Sequence, residues 1–256
     1  MVETQGDIRP AGNNPAIYNA IHKALVSGFS PSDPTREVGT LLMFSGGLDS
    51  TALLANILTA TKHKLHVHYI EIHNVENRAE AEKNSVYEII EYCKKNYRNF
   101  TFSTSKHEFH IGIGGGLDMS LALFTAGRVY NANQGGLDIV WTGHIDPSTW
   151  EIVEGAAILH ASFINKLRVP EWLRPLSKMT KKDIYESIPE DLAKLSWSCR
   201  TPLYQNGYYS PCGECYTCKS ISLAGGVIDD QGGGIQKRTS KIGNLPMRNQ
   251  GIIHEG

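Results

Sequence analysis

The sequence predicts an α/β protein, a doubly wound parallel sheet with a small C-terminal zinc-binding subdomain. Three observations predict it. Short apolar runs alternate with stretches of helical periodicity between residues 41 and 142. A pair of glycines stands directly between the first such run and the helix that follows it. Four of the five cysteines crowd between positions 199 and 218. Strands alternating with helices build a parallel sheet covered on both faces, and ligands of such sheets bind beyond the carboxyl ends of the strands.

In chain order, Pro15 to Val26 carries Ile17, Ile21 and Leu25 at helical spacing, so a helix precedes the sheet. Leu41 to Phe44 is a short apolar run of the kind that makes an interior strand, and an amphipathic helix follows over Thr51 to Thr61. Lys64 to Ile72 alternates, with Leu65, Val67, Tyr69 and Glu71 on one face, and reads as the second strand. Arg78 to Lys95 reads as a long charged helix holding Cys93 as a buried thiol, and Asn99 to Thr104 as a third strand. Gly112 to Gly116 is a glycine-dense loop, either a ligand contact or a hinge, ahead of a helix over Asp118 to Asn131 with Leu121, Phe124 and Val129. Leu137 to Thr142 is a short buried strand ending in Gly143-His144-Ile145-Asp146. His63, His66 and His68 are read as alternately exposed positions along the second strand rather than as metal ligands.

These elements divide the chain into an N-terminal extension with one helix (1–38), an α/β domain (39–185), a zinc-binding region (186–224) and a flexible tail (225–256). The tail is glycine-rich and poor in apolar residues, and its Lys237, Arg238 and Lys241 read as solvated charges.

Composition narrows the function classes. With 256 residues, 41 % hydrophobic and 20 % charged, the chain matches an ordinary soluble globular protein. A net charge of −1 argues against nucleic acid as a direct substrate, because broad backbone binding needs a concentrated positive field. No stretch approaches the roughly 18 apolar residues of a membrane span. Met1 to Pro15 is polar and lacks the apolar segment of a secretion signal, so the expectation is a cytoplasmic protein.

Two motifs carry chemistry. Ser45-Gly46-Gly47-Leu48-Asp49-Ser50 follows a strand and opens a helix, the architecture that turns backbone N–H groups toward a phosphate. The glycines permit close approach, and the hydroxyls of Ser45 and Ser50 add donors. It is not the phosphate loop of kinases and GTPases, because no Gly-Lys-Ser/Thr ends it. The second motif is Cys199, then Cys212-Gly213-Glu214-Cys215-Tyr216-Thr217-Cys218, a C-x12-C-x2-C-x2-C pattern. Four thiolates at that spacing close a tetrahedral site. They select zinc or an iron–sulfur cluster, and a zinc with four protein ligands is structural.

The loop resembles the pyrophosphate-binding loop of the N-type ATP pyrophosphatases, and the fold it implies is the adenine nucleotide alpha hydrolase-like sheet. Loop and cysteine knot together resemble the 7-cyano-7-deazaguanine synthases, over roughly residues 40 to 220. Arg174-Pro175-Leu176 followed by Thr180-Lys181-Lys182-Asp183-Ile184 resembles that family's Pro-Leu and Thr-Lys-x-Glu-Ile segments, and Trp197-Ser198-Cys199 its entry to the zinc site. Gly143 to Asp146 resembles its Gly-Val-Asn-x-x-Asp turn in part. Two segments depart from the pattern. Pro147-Ser148-Thr149-Trp150-Glu151 stands in place of a Tyr-Pro-Asp-Cys-Arg-like substrate segment, and Gly114 to Asp118 in place of a Gly-Arg-Asn loop.

The resemblance implies an ATP-dependent carbon–nitrogen ligase. It would convert 7-carboxy-7-deazaguanine and ammonia to the nitrile, on the route to queuosine and related deazaguanine modifications of nucleic acid. Its cofactors would be ATP, magnesium and zinc. Ser45, Gly46, Gly47, Leu48, Asp49, Ser50 and Thr51 would hold the phosphates. Asp49 would organise magnesium or the loop itself, and Lys181 and Arg78 would offset the charge that develops on the phosphates. Glu71, His73 and Asp146 end strands near this site. Adenylation of a different acceptor, or nucleotide binding without catalysis, are the alternatives. Monomer and homodimer are both open.

Overall fold

The computed structural model describes residues 15–28, 37–109, 117–132, 136–145, 147–163 and 169–225. Five strands form one parallel sheet: β1 (Gly39–Phe44), β2 (Lys64–His73), β3 (Thr101–Glu108), β4 (Ile139–Thr142) and β5 (Glu171–Leu173). Their order is β3-β2-β1-β4-β5. From β1 the chain first builds outward through β2 and β3, then returns to the other side for β4 and β5. The order therefore reverses between β1 and β4, which places a crevice at the carboxyl ends of those two strands.

The three central strands, β2, β1 and β4, are buried on both faces because helices cover both, while the edge strand β3 stays partly exposed. Leu42 and Phe44 of β1 belong to one core with α1 (Pro15–Gly28), α2 (Leu48–Ala60) and α3 (Ala79–Asn96). Leu41 and Met43 belong to a second core with α4 (Leu117–Ala132) and α5 (Thr149–Ser162). Three short helices extend the first core: Ile184 comes from α6 (Lys181–Glu186), Leu192 from α7 (Glu190–Leu195) and Ile221 from α8 (Tyr216–Leu223). Between α7 and α8 a two-stranded hairpin, β6 (Leu203–Gln205) and β7 (Tyr208–Ser210), turns at Asn206-Gly207 with φ of 52° and 82°. Both turn residues lie in the left-handed region, which suits Asn-Gly and matches the twist of the flanking strands.

The strand and helix expectations up to residue 142 hold with shifted ends. The helix after the phosphate loop starts at Leu48, inside the motif, and β3 runs on to Glu108. Cys93 is fully buried, and burial pushes its thiol up to about 12. Gly112 to Gly116, Asp146, Lys237, Arg238 and Lys241 lie outside the described residues.

One expectation fails. His66 and His68 are not alternately exposed; they are 8 % and 4 % exposed, because the sheet face opposite Leu65 and Val67 is covered as well. His63 lies half-buried in the turn before β2. Serines of β3 meet three of the four ring nitrogens of these two histidines. Ser103 Oγ lies 2.6 Å from His66 Nε2 and 2.7 Å from His68 Nδ1, and Ser105 Oγ lies 3.0 Å from His68 Nε2.

Burial, with His66 and His107 nearby, lowers His68 to about 4. A histidine whose folded value lies below its ordinary 6.5 takes up its proton more readily in the unfolded chain. Stability from this residue is therefore present above pH 6.5 and lost as pH falls toward 4. Thermal melts of wild type and His68→Gln at steps across that window should show the wild type losing more on acidification. Parallel profiles would remove His68 as the cause.

Candidate active site

A cavity of about 280 Å³ opens at the crevice between β1 and β4. One end is the Ser45–Ser50 loop. Ser45, Gly47, Asp49 and Ser50 line it, while Leu48 and Thr51 turn into the core, each at 0 % exposure. Thr51 contributes its N–H to the Gly47 carbonyl at 2.9 Å, and its hydroxyl finds no partner among the described residues. Gly46 has φ of +72°, and a Cβ there would stand 2.7 Å from Val86 Cγ2, so both the turn and the approach of α3 require glycine. Gly143, at the end of β4, is equally constrained: its Cβ would meet the Ser50 nitrogen at 2.9 Å.

The loop's hydroxyls hold it in shape. Ser45 Oγ and Ser50 Oγ are 3.0 Å apart; Ser45 N–H donates to Ser50 Oγ at 3.3 Å, and Ser50 Oγ donates to the Gly47 carbonyl at 3.1 Å. Residues from the far end of the chain hold it from behind. Trp197 N–H donates to the Gly46 carbonyl at 2.9 Å, and Leu48 N–H donates to Ser198 Oγ at 3.1 Å.

Asp49 points into the cavity and meets Lys181. The ammonium lies 2.7 Å from each carboxylate oxygen. Lys181 is the first residue of α6, and a capping box fixes that start: Thr180 Oγ1 accepts from Asp183 N–H while Asp183 accepts from Thr180 N–H. Burial pushes the Asp49 carboxyl up against the opposing pull of Lys181.

The other end of the cavity is a cluster of two arginines and three carboxylates. Arg78, 7 % exposed, donates to Glu82 at 2.5 Å and to Asp118 at 2.9 Å, and its Nε lies 2.6 Å from Glu76. Arg200 donates to Asp118 at 3.0 Å and to Glu76 at 2.8 Å. Burial, partly offset by Arg78, pushes Glu82 up to about 7. Burial also works against the charge of Arg78, but Glu82, Asp118 and Glu76 hold its guanidinium above the ordinary value. Met43, Ile70, Ile72, Met119 and Ala122 form the apolar wall between the two ends.

The structure thus brings Lys181 onto the phosphate loop and sets Arg78 at the opposite end among carboxylates. Glu71 and His73 are hydrogen-bonded to each other at 2.5 Å and are not on the cavity wall. Sequence reading placed the Gly143–Asp146 segment, with His144, at the strand ends and Ser198 at the entry to the cysteine site, but missed Glu82, Asp118 and Arg200; all five residues, His144, Ser198, Glu82, Asp118 and Arg200, line the cavity. Glu82 had a readable signal, since it lies one helical turn from Arg78. Asp118 and Arg200 are brought in by the fold alone.

The four cysteines stand directly behind this site. Their sulfurs all lie within 4.8 Å of one another, with Cys199 Sγ 3.6 Å from Cys212 Sγ and 4.0 Å from Cys215 Sγ. A tetrahedron of thiolates at about 2.3 Å from one zinc has edges of about 3.8 Å. The cluster therefore fits a single tetrahedral ion. N–H groups of Cys212 and Cys215 donate to Cys199 Sγ and Cys212 Sγ, each at 3.2 Å, as suits sulfurs carrying negative charge. From here a short relay reaches the loop. Cys215 Sγ lies 3.1 Å from Thr217 Oγ1, which donates to the Ser198 carbonyl at 2.6 Å, and Ser198 holds Leu48.

No protein-family model matches the chain, and no curated protein matches it in sequence. Among solved structures it is similar to the U34-tRNA thiolase NcsA from Methanococcus maripaludis, with its [4Fe-4S] cluster, at 12 % identity and a TM-score of 0.47 over 82 % of this chain and 70 % of that one. It is similar to NMN synthetase from Francisella tularensis at 12 % identity and a TM-score of 0.46, over 88 % of this chain and 90 % of the other. It is also similar to the NH3-dependent NAD synthetase from Campylobacter jejuni subsp. jejuni NCTC 11168 in complex with the nitrate ion, at 13 % identity and a TM-score of 0.40, over 70 % and 71 % of the two chains. At such identities and scores these likenesses decide neither substrate nor metal.

Two outcomes follow from the geometry. Cys215→Ser should lower bound metal and soluble yield together; full metal content in that variant would contradict a four-thiolate site. Thr217→Val keeps the cysteines and removes the donor to Ser198, a loss of about 1 kcal/mol, together with the hydroxyl beside Cys215 Sγ. Hydrogen exchange should then quicken at Leu48 with metal content unchanged, and an unaltered Leu48 rate would show that the relay carries no stability to the loop.

Proposed function

We propose that this cavity binds ATP, transfers its AMP to an oxygen of an acceptor and lets a nitrogen nucleophile displace the AMP. The observation that carries this reading is the Ser45–Ser50 loop at the β1–β4 crevice, with the Lys181 ammonium held against Asp49 inside it. The loop and the start of α2 offer N–H donors and the positive end of a helix dipole to the departing pyrophosphate. Lys181 is placed to turn from Asp49 to the phosphates, and Asp49 would then hold magnesium, which would supply charge neutralisation along the phosphate chain; the four cysteines would hold a structural zinc.

For the acceptor, the reading favoured here is a carboxylate on a 7-deazaguanine ring. The carboxylate oxygen attacks the α-phosphorus of ATP and expels pyrophosphate. Ammonia adds to the acyl adenylate, AMP leaves with that oxygen, and a proton is lost to give the amide. A second ATP adenylates the amide oxygen, and loss of AMP and a proton gives the nitrile. The apolar wall of Met43, Ile72 and Met119 suits a flat ring, and the Glu82 and Asp118 carboxylates suit its N–H edge. A second reading keeps the adenylation and changes the acceptor. It is favoured by Ser148 and Glu151, which are engaged in capping α5 where the resembling family carries a substrate segment.

Asp49→Ala should abolish pyrophosphate release from Mg-ATP while the melting curve stays cooperative; unchanged release would take Asp49 out of the chemistry. Mass spectrometry of a reaction with Mg-ATP, ammonium and 7-carboxy-7-deazaguanine should show the nitrile. Pyrophosphate release without any new deazaguanine species would move the acceptor elsewhere and leave the adenylation standing.

A further inference from the structure

A second cavity, of about 690 Å³, lies beside the turn that follows β2 and shares no lining residue with the first. Its size is within the range of ligand sites. Aromatic rings form much of its wall. Tyr204 and Tyr209 face each other across the β6–β7 hairpin with ring centroids 4.7 Å apart, and Phe109 lies on the strand side. Tyr204 is 56 % exposed, an unusual position for so large a ring on a hairpin anchored beside the cysteine cluster. The charged groups on the wall are Glu80 and Glu108, with His73 at the end of β2 in register with Glu108, and no lysine or arginine among the described residues lines the cavity. Lys83 approaches from α3, 3.9 Å from Glu80 and 3.4 Å from Glu71. No cation pairs with Glu108 among the described residues.

Carboxylates beside tyrosine rings disfavour a phosphate or carboxylate ligand and suit a cation with a flat face. Electron-rich tyrosine rings attract cations above their planes, and a guanidinium adds planar stacking and a fork of N–H donors that matches a carboxylate. We propose that the cavity binds the guanidinium of an arginine side chain on a partner polypeptide, stacked on the Tyr204–Tyr209 pair with Glu108 as its counter-charge. The proposal is independent of what the phosphate loop binds.

The test is calorimetric titration of the full chain with Nα-acetyl-L-arginine amide, the citrulline analogue of the same shape without the charge, a capped Gly-Arg-Gly peptide and free L-arginine. Saturable binding of the arginine amide and the capped peptide, with the citrulline compound silent, is the expected result. Tyr204→Ala and Glu108→Gln should each weaken it about two- to five-fold. Both side chains are exposed, so either variant should fold as the wild type does. Saturating pyrophosphate should leave the titration unchanged. Equal binding of citrulline, insensitivity to both variants, or binding of free arginine alone would each overturn the proposal, the last by marking a small-molecule site.

Discussion

The hydrogen bonds that Trp197 N–H donates to Gly46 and that Ser198 Oγ accepts from Leu48 are the contacts on which the site depends. A glycine loop is conformationally permissive, so on its own it would hold a phosphate-binding shape only at an entropic cost. Here the serines close the loop on itself and the Trp197–Ser198 segment pins it from outside. That segment is short because the next residue is Cys199, fixed among the other cysteine sulfurs. A metal on those sulfurs would stiffen the segment at one end, and the loop would feel it at the other.

The cavity's electrostatics follow a second constraint. Among the described residues, the side-chain cations Arg78, Lys181 and Arg200 line it, and so do the carboxylates Asp49, Glu82 and Asp118. Each cation already has a carboxylate partner, so the cavity presents no standing excess of positive charge to an anion. Buried charges left unpaired are costly, and this arrangement keeps them paired in the absence of ligand. The two ends differ in how readily they rearrange. Lys181 reaches Asp49 on a flexible stem from the first turn of α6, and its exchange for another anion moves one side chain. Arg78 and Arg200 share Glu76 and Asp118 between them, so displacing either disturbs the whole cluster. The loop end is the adaptable one and the arginine end is the rigid wall.

Legibility in the sequence divides along the same line. Local patterns revealed β1 through β4 and the helices between them, because interior strands and amphipathic helices carry their period in neighbouring residues. The phosphate loop and the cysteine knot were legible for the same reason, each being a compact motif. The capping box at Thr180 and Asp183 and the Asn206-Gly207 hairpin turn were equally local signals, and reading them would have located α6 and the β6–β7 hairpin. Other features had no local trace. Strand β5 has three residues, α5 is apolar on nearly every side, and Arg200 enters the cavity only because the knot returns the chain to the phosphate loop. His66 and His68 misled for a related reason: alternation marks a strand, and only the tertiary structure tells that both of its faces are covered.

That return of the chain explains why the cysteines come last. The loop at residues 45 to 50 borders the cavity at the carboxyl ends of β1 and β4, and the Trp197–Ser198 segment covers it there. The cover has to come from a segment that crosses the top of the sheet and stops abruptly beside the loop. A helix or strand would bring its own length and side chains into the cavity. A four-cysteine site ends the crossing in a tight turn with little core of its own, and metal binding to such a site is folding free energy for the segment that carries it. Trp197, Ser198 and Arg200 therefore need no long packed element behind them: the sulfurs of Cys199, Cys212, Cys215 and Cys218 fix their position, and they in turn fix the loop and one wall of the cavity.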